Sequence, residues 1–263
     1  MTATTLRQFA ADYAAHRRAE GRAYAGEALL ALPYVRTGPL ARQWAVRSSS
    51  FNAFVRLVGP ASGRSLDVLD LGAGNGWLSY RLARLGHRAT ALDIRDDDVD
   101  GLGAAGPFIA RAEGRMRTLV APFEAIPAPT SSYDLAVFNA SLHYATDLAA
   151  VLAEAVRVVR PGGRLVILDS PFYRREADGL AMVAEKAAGA AERFGDRAGT
   201  LMALPFVEFL TRDRLAAASM AIGLSWRRKR VLYPLWYELR PLMTALHGAR
   251  PPSRFDLWVG TGP

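Results

Sequence analysis

Residues 66–94, LDVLDLGAGNGWLSYRLARLGHRATALDI, decide the fold. The stretch opens with an almost wholly apolar run, which is typical of a parallel strand buried on both faces of a sheet. The GAGNG turn at 72–76 follows at once, and its glycines allow a sharp turn and a close approach of the backbone to a ligand. Residues 77–85 predict an amphipathic helix, and 88–94 predict a second strand. A strand, glycine turn, helix and strand unit therefore forms the centre of the chain.

Such a unit binds a nucleoside in the crevice above the sheet. Gly72, Gly74 and Gly76 are spaced Gly-x-Gly-x-Gly, so the third glycine comes one residue earlier than in the dinucleotide fingerprint. Asp70 would repel a phosphate but would stabilise an ammonium or sulfonium group. Asp93 places a second carboxylate at the carboxyl end of the neighbouring strand. This pattern favours S-adenosylmethionine (SAM) over a dinucleotide.

Residues 70–76 together with Asp93 resemble motifs I and II of class I SAM-dependent methyltransferases. Three further segments resemble the same family in order: LVAPFEAIP at 119–127, its loop over adenine; YDLAVFN at 133–139, its fourth strand; and 148–169, its next helix, turn and fifth strand. The resemblance is close over roughly residues 64–170 and holds in outline beyond them.

The resemblance implies an α/β fold, a Rossmann-like seven-stranded sheet with flanking helices that ends in an antiparallel hairpin. Residues 1–60 would form an N-terminal helical lid, and residues 61–263 the SAM-binding domain. Two cap insertions leave the shared core, at about 174–210 and 233–252. Apolar insertions serve by default as core or interface, yet two of them on the substrate side favour a bulky, apolar methyl acceptor.

The resemblance also implies which residues hold the cofactor. Asp70 would support the methionine amino group directly or through water, and Asp93 would receive the ribose hydroxyls. The other expected cofactor residues are Gly72, Ala73, Gly74, Gly76, Ile94, Phe123, Glu124, Asn139 and Ala140. Pro122 stands where relatives commonly carry an aspartate that contacts adenine. Backbone near Phe123, the Glu124 side chain and apolar contact with Ile94 would then hold that base.

His143 is the candidate catalytic base. It alone among the four histidines follows the strand end where the acceptor should meet the methyl group, and an ordinary imidazole pKa of about 6.5 suits proton removal. Histidine at this point can equally be a packing residue behind the cofactor, and Tyr144 is a second, weaker candidate. Methyl transfer from a sulfonium depends mainly on alignment, so few catalytic residues are required.

Composition narrows the function further. The chain has 263 residues, 51% of them hydrophobic, and no cysteine, which excludes disulfides, thiolate zinc sites and cysteine nucleophiles. Neither an apolar run of about 18 residues nor a signal peptide is apparent, so a cytoplasmic protein without a membrane partner is expected. The acidic run at 95–100 reads as a solvated loop or helix start rather than a metal site, because consecutive aspartates point in different directions.

The net charge of +8 raises the question of nucleic acid, but all except two of the 33 basic residues are arginines scattered along the chain. Asn139 is followed by Ala-Ser-Leu rather than the Pro-Pro-Tyr/Phe common in base-modifying relatives. We therefore expect methyl transfer to an oxygen, nitrogen or carbon of a small, apolar metabolite, with no nucleic-acid partner. Two alternatives remain open: an rRNA or tRNA methyltransferase, and a SAM-binding regulatory protein without catalysis.

Overall fold

The computed structural model describes residues 3–61 and 63–262. A seven-stranded sheet has the order β3-β2-β1-β4-β5-β7-β6. Its strands are β1 Asp67–Leu71, β2 Arg88–Asp93, β3 Met116–Val120, β4 Tyr133–Asn139, β5 Val159–Leu168, β6 Ser225–Lys229 and β7 Leu257–Thr261. The first five are parallel, and β7 runs antiparallel to both β5 and β6. The expected Rossmann-like sheet with a final antiparallel hairpin is confirmed.

Helices cover both faces of the sheet and its carboxyl edge. They are α1 Ala3–Ala19, α2 Gly26–Leu30, α3 Ala41–Val58, α4 Trp77–Arg84, α5 Gly106–Arg111, α6 Leu148–Val158, α7 Glu176–Ala188, α8 Ala190–Phe194, α9 Ala198–Leu201, α10 Arg212–Ser219, α11 Leu235–Glu238 and α12 Arg240–Leu246. Across the part of the chain described above, no helix has the length and apolar character needed to cross a bilayer.

The two faces of the sheet form two apolar cores because successive strand residues point to opposite sides. On β1, Val68 packs into the core shared with α3 and α4, whereas Leu69 and Leu71 pack into the core shared with α6 and α10. Both cores are continuous across β1, β4 and β5. The carboxyl ends of these parallel strands are therefore held at one rigid edge.

Local signals fix the ends of several elements. The Asp147 carboxylate accepts a hydrogen bond from the Ala150 amide at 3.0 Å and caps α6, as the sequence suggested. Thr211 caps α10 through the Arg214 amide at 3.1 Å. The sixth strand, β6, is short and ends at Lys229. β6 pairs with β7 over five residues, and the chain leaves the sheet after Lys229.

The N-terminal segment contacts the first insertion. Phe9 of α1 packs with Ala190, Phe194, Leu201 and Leu204, all from the 174–210 region. That region contains α7, α8 and α9, and the 233–252 region contains α11 and α12. The N-terminal helix α1 and the first insertion, which both lie outside the shared core, therefore contact each other above the sheet.

Gly179 tests how closely the first insertion packs. A Cβ at this position of α7 would lie 2.1 Å from Cε2 of Phe209, which is itself almost fully buried. We expect Gly179→Ala to lower the free energy of unfolding by about 1–3 kcal/mol, because an overpacked core must shift. Urea denaturation monitored by tryptophan fluorescence measures this.

Gly199→Ala on α9 is the matched control. No atom lies within 4 Å of an added Cβ there. Its stability should be unchanged or about 0.4–1 kcal/mol higher, since alanine restricts the unfolded chain. Equal effects at both glycines would contradict the described packing of α7 on Phe209.

Candidate functional site

A cavity opens at the carboxyl ends of β1, β2 and β4, beneath α1 and α3. Its empty space, counted to the open mouth, is about 1060 Å³. The lining residues are Leu6, Phe9, Tyr13, Arg17, Trp44, Arg47, Gly72, Ala73, Gly74, Asn75, Trp77, Asp93, Ile94, Arg95, Asp100, Pro122, Phe123, Glu124, Asn139, Ala140, Ser141, Tyr144, Thr146 and Phe206.

The glycine turn forms the floor of the cavity. Gly72, Gly74 and Gly76 have φ values of +72°, +56° and +79°, in the left-handed region that favours glycine. The Gly72 amide donates to the carbonyl oxygen of Leu92 at 2.8 Å, which ties the turn to β2. A Cβ at Gly72 would lie 2.4 Å from that of Ser141, so the turn has no room for a side chain there.

Asp93 lies at the end of β2 with its carboxylate directed at the turn. One oxygen accepts from the Gly74 amide at 2.8 Å and the other from the Arg95 amide at 2.9 Å. Burial raises the pKa of Asp93, and the Arg95 guanidinium opposes that rise. Each carboxylate oxygen can accept a second hydrogen bond, so Asp93 can receive hydroxyl groups of a ligand in the cavity.

Asp70 lies behind the turn, not on the cavity wall. Its side chain is fully buried, and one oxygen accepts from the Ser79 hydroxyl at 2.9 Å. The other oxygen has no hydrogen-bond partner among the described residues. Burial raises the pKa of Asp70 to about 7, which the Ser79 hydrogen bond opposes and the nearby Asp93 reinforces. A cation above the turn would favour the ionised form.

One end of the cavity is flat and largely apolar. Ile94, Pro122 and Phe123 line it, and the Phe123 ring meets Phe138 edge-on with centroids 6.1 Å apart. Glu124 lines the same end, and burial raises its pKa. This end has the shape and apolar character that a purine requires.

The carboxyl end of β4 supplies the opposite wall. Asn139 and Ala140 line the cavity, and the Asn139 side-chain oxygen is buried without a partner among the described residues. Ala140 has φ of +57°, and its amide donates to the carbonyl oxygen of Leu168 at 2.8 Å. This turn aims the following residues back over the cavity.

His143 does not line the cavity, whereas Tyr144 does. The imidazole packs against the Tyr144 ring at a centroid distance of 4.3 Å, and its Nδ1 is buried without a hydrogen-bond partner among the described residues. Burial, with Lys186 and Arg47 adding to it, lowers the pKa of His143 to about 3. Such a group is a weak base, so the predicted catalytic role of His143 has no support from this geometry.

Of the other predicted cofactor residues, Gly76 also lies off the wall, at the start of α4. Gly72, Ala73, Gly74, Asp93, Ile94, Phe123, Glu124, Asn139 and Ala140 are brought together around the cavity. Trp44 and Arg47 of α3 also line the cavity. The Tyr24 hydroxyl accepts from Trp44 Nε1 at 2.6 Å, and Tyr34 is exposed and bonded to Asn52.

Sequence reasoning missed the wall that α1 provides. Leu6, Phe9, Tyr13 and Arg17 line the cavity from one helical face. The Tyr13 hydroxyl lies 2.9 Å from that of Tyr144, and Arg17 Nε donates to Asp100 at 2.7 Å. The spacing of these four positions, at intervals of three or four residues, is the signal that would have indicated them.

The acidic run is more ordered than expected. Asp96 and Asp98 are exposed, but Arg95 is buried and its guanidinium lies 3.0 Å from Asp97. One Asp97 oxygen accepts from the amides of Val99, Asp100 and Gly101 at 3.0, 3.0 and 3.2 Å. Of the two expectations for this run, the solvated loop fits the exposed Asp96 and Asp98, whereas Asp97 accepts from backbone amides as an acid at a helix start does.

Arg47 is a cation on the cavity wall without a counter-ion in contact. Its guanidinium lies 5.4 Å from the Trp44 ring centroid, and it makes no hydrogen bond or ion pair with a described residue. Burial lowers the pKa of Arg47, and the carboxylate of Asp169 opposes that effect. A guanidinium in this position is suited to a carboxylate of a ligand.

Residues 69–167 match a family described as a methyltransferase domain. The chain is similar to the malonyl-[acyl-carrier protein] O-methyltransferase of Hahella chejuensis, with 34% identity over 102 residues, 38% of this chain and 35% of that protein. It is 29% identical over 146 residues to the ubiquinone/menaquinone biosynthesis C-methyltransferase of Methylobacterium nodulans, 55% of this chain and 54% of that one. The chain thus spans about a third to a half of these relatives' length.

Among solved structures, geranyl diphosphate C-methyltransferase from Streptomyces coelicolor, in complex with Mg²⁺, geranyl diphosphate and S-adenosyl-L-homocysteine, superposes with a TM-score of 0.61. Identity is 14%, and the alignment covers 87% of this chain and 86% of that one. At this identity the likeness concerns the fold alone.

The buried Asp70 predicts a pH-dependent stability difference. A carboxyl whose pKa is raised by folding holds its proton more tightly in the folded state, so stability falls as pH rises from about 4 to about 7, by roughly 1.4 kcal/mol per unit. Asp70→Asn cannot titrate. Relative to the unsubstituted protein, it should therefore gain stability across this range and level off above it.

Urea denaturation of both proteins at a series of pH values measures this difference. Asp96→Asn, at an exposed position in the connection that follows β2, is the control. A stability difference between Asp70→Asn and the unsubstituted protein that does not change with pH would contradict a protonated, buried Asp70.

Proposed function

We propose that this chain is a class I SAM-dependent methyltransferase that transfers a methyl group from SAM to a small, apolar acceptor. The cofactor of such a domain is S-adenosyl-L-methionine. One observation carries the proposal: the glycine turn, the Asp93 carboxylate and the Arg47 guanidinium border one cavity at the carboxyl edge of the sheet. The site for each part of the cofactor is argued below from these residues.

The residues around the cavity fit the parts of this cofactor. The free acceptor capacity of Asp93 suits the two ribose hydroxyls, and the apolar end at Ile94 and Phe123 suits adenine. The turn at Gly72 excludes side chains, so backbone can approach the ligand closely. Asp70, buried behind that turn with one oxygen unpartnered, provides negative potential for an ammonium group.

The methionine carboxylate would pair with Arg47. Arg47 lines the cavity and lacks a hydrogen-bonded partner among the described residues, whereas Arg17 and Arg95 are both engaged by Asp100. A bidentate guanidinium–carboxylate pair in a partly buried cavity is among the stronger polar contacts in proteins. We therefore assign Arg47 to the amino-acid end of the cofactor.

When bound, SAM supplies a methyl group already activated on a sulfonium. The work left to the protein is to align the acceptor with that methyl and to exclude water, and alignment alone can supply about 7–11 kcal/mol of barrier reduction. Tyr13 and Tyr144 close the cavity from opposite sides through their shared hydrogen bond. Burial raises the pKa of Tyr144 well above its usual value, so Tyr144 acts by position and not as a phenolate base.

The walls outside the cofactor region favour an apolar acceptor. Leu6 and Phe9 of α1 and Phe206 of the first insertion line the cavity, and the Phe206 ring packs edge-on against Tyr144 with centroids 5.4 Å apart. The relatives include both O- and C-methyltransferases, which supports methyl transfer without selecting the accepting atom. Neither an RNA acceptor nor a purely regulatory role gains support from this lining.

Loss of Asp93 tests the cofactor assignment. We expect isothermal titration with S-adenosylhomocysteine to give saturable binding, and Asp93→Ala to weaken it by more than about tenfold by removing a charge-assisted contact to both hydroxyls. Asp96→Ala, three residues further along and exposed, is the control that should bind normally.

The same titration with the unsubstituted protein decides the proposal. A folded, ligand-free protein that binds neither SAM nor S-adenosylhomocysteine would overturn it. If the protein binds the cofactor, SAM is then incubated with it and with apolar hydroxylated or amino compounds. Formation of S-adenosylhomocysteine indicates a methyltransferase, whereas its absence indicates a regulatory protein that only binds the cofactor.

Arg47→Gln tests the carboxylate assignment with two ligands. Affinity for S-adenosylhomocysteine should fall by about tenfold or more, whereas affinity for methylthioadenosine, which lacks the amino-acid part, should barely change. Arg42→Gln is the control on the same helix, since Arg42 stacks on Trp236 and is not part of the cavity wall.

Equal losses of affinity for both ligands would indicate that Arg47 shapes the site instead of binding the carboxylate. Unchanged affinity for both would assign Arg47 to the acceptor.

A further inference from the structure

The second insertion exposes a large apolar face. Exposed fractions are 76% for Leu232, 73% for Leu235, 57% for Leu242, 51% for Met243 and 71% for Leu246. Trp236 and Leu239 add 39% and 42%. We call these seven side chains the 232–246 face. Contiguous exposed apolar surface of this kind marks an interaction site on a folded protein.

The face is built into the fold and does not reflect a loose segment. Leu235, Leu239, Leu242 and Leu246 recur at three- and four-residue spacing on α11 and α12 and point outward. The inner side of the same segment is anchored. Tyr233 and Tyr237 are buried, and the Tyr233 hydroxyl lies 2.9 Å from that of Ser50 on α3.

Positive charge borders the 232–246 face. Residues 225–256 contain seven arginines or lysines and two acidic residues. Three of these cations are ion-paired: Arg228 with Asp256 at 2.6 Å, Arg250 with Glu185 at 2.7 Å, and Arg254 with Glu238 at 2.9 Å. Arg227 and Lys229 lie on the edge strand β6, are exposed, and form no hydrogen bond or ion pair with a described residue. The surface therefore combines exposed apolar side chains with cations that have no ion-pair partner. Such a surface favours a partner that is both apolar and anionic.

We propose that the 232–246 face docks the protein on an anionic lipid surface. Leucine, methionine and tryptophan side chains that protrude from surface helices enter the boundary between headgroups and acyl chains, and neighbouring arginines and lysines contact anionic headgroups. The net charge of +8 attracts such a surface but repels a second copy of the same chain. The positive net charge therefore favours an anionic lipid surface over a second copy of the chain as the partner of this face.

This proposal differs from the expectation that the protein has no membrane partner. That expectation depended on the absence of a spanning segment, and docking through surface helices requires none. The apolar residues of α11 and α12 were assigned by default to core or interface. Their outward direction became apparent only from the packing of Tyr233 and Tyr237 beneath them.

Helix α3 contacts both the 232–246 face and the cavity. Arg42 of α3 lies 5.5 Å from the Trp236 ring centroid, and Trp44 and Arg47 of the same helix line the cavity. If the acceptor is apolar, as proposed above, it would partition into the same lipid phase. The docking itself does not depend on the methyltransferase activity.

Vesicle flotation of the purified full chain tests the docking. We expect the protein to float with vesicles of phosphatidylcholine and phosphatidylglycerol in equal parts, to float poorly with phosphatidylcholine alone, and to dissociate at high salt. The triple variant Leu235→Asp/Leu242→Asp/Leu246→Asp should lose at least about tenfold in partition coefficient. Ile109→Asp, on α5 beside the opposite edge of the sheet, is the matched control and should float normally.

A charge variant keeps the test independent of any folding defect. Arg227→Glu/Lys229→Glu leaves the apolar side chains intact and should lower the partition coefficient on anionic vesicles by about tenfold or more. Titration with S-adenosylhomocysteine on every variant reports the cofactor site separately, so failure of docking and failure of the proposed function are distinguishable.

Two results would overturn the proposal. One is an absence of flotation with anionic vesicles. The other is a dimer in sedimentation velocity that the triple variant dissociates while vesicles bind neither protein, which would assign the 232–246 face to a second copy of the chain.

Discussion

The interaction on which the site depends is the pair of hydrogen bonds that Asp93 accepts from the amides of Gly74 and Arg95. The first ties the glycine turn, which follows β1, to the end of β2, and the second sets the path of the chain after β2. Arg95 then lies 4.9 Å from the Tyr13 ring centroid and donates to the carbonyl oxygen of Asp100, whose carboxylate accepts from Arg17. One buried carboxylate thereby couples the cofactor turn to the helix that covers it.

Much of this arrangement is visible in the sequence because its signals are local. The run from β1 to β2 is specified by apolar strands, by glycines at positions that need positive φ, and by an amphipathic α4. The helix caps at Asp147 and Thr211 follow from the same short-range chemistry. The closure by α1 could not be found in this way, since Tyr13 and Tyr144 are 131 residues apart and their contact depends on the whole fold.

Burial sets the electrostatics of the site. The pKa values of Asp70 and Asp169 rise to about 7 and about 6, and that of Arg47 falls, because each group has exchanged water for packed protein. Near neutral pH, Asp70 is therefore poised between its two forms. A cationic ligand would pull it toward the carboxylate, so binding would release a proton in this pH range. His143, buried without compensating charge, moves the other way and stays neutral.

The residues that line the cavity fall into two groups according to their position in the sequence. Apart from Arg47 on α3, the residues suited to the cofactor lie between Asp70 and Ala140, inside the 69–167 segment that matches the methyltransferase domain family. The apolar walls beside them come from α1 and from Phe206, both outside that segment. Selection on a shared cofactor constrains the first set, whereas the second set must change with each acceptor. Similarity to known methyltransferases therefore carries information about the nucleoside end of the cavity, and acceptor choice has to be read from α1 and the insertions themselves.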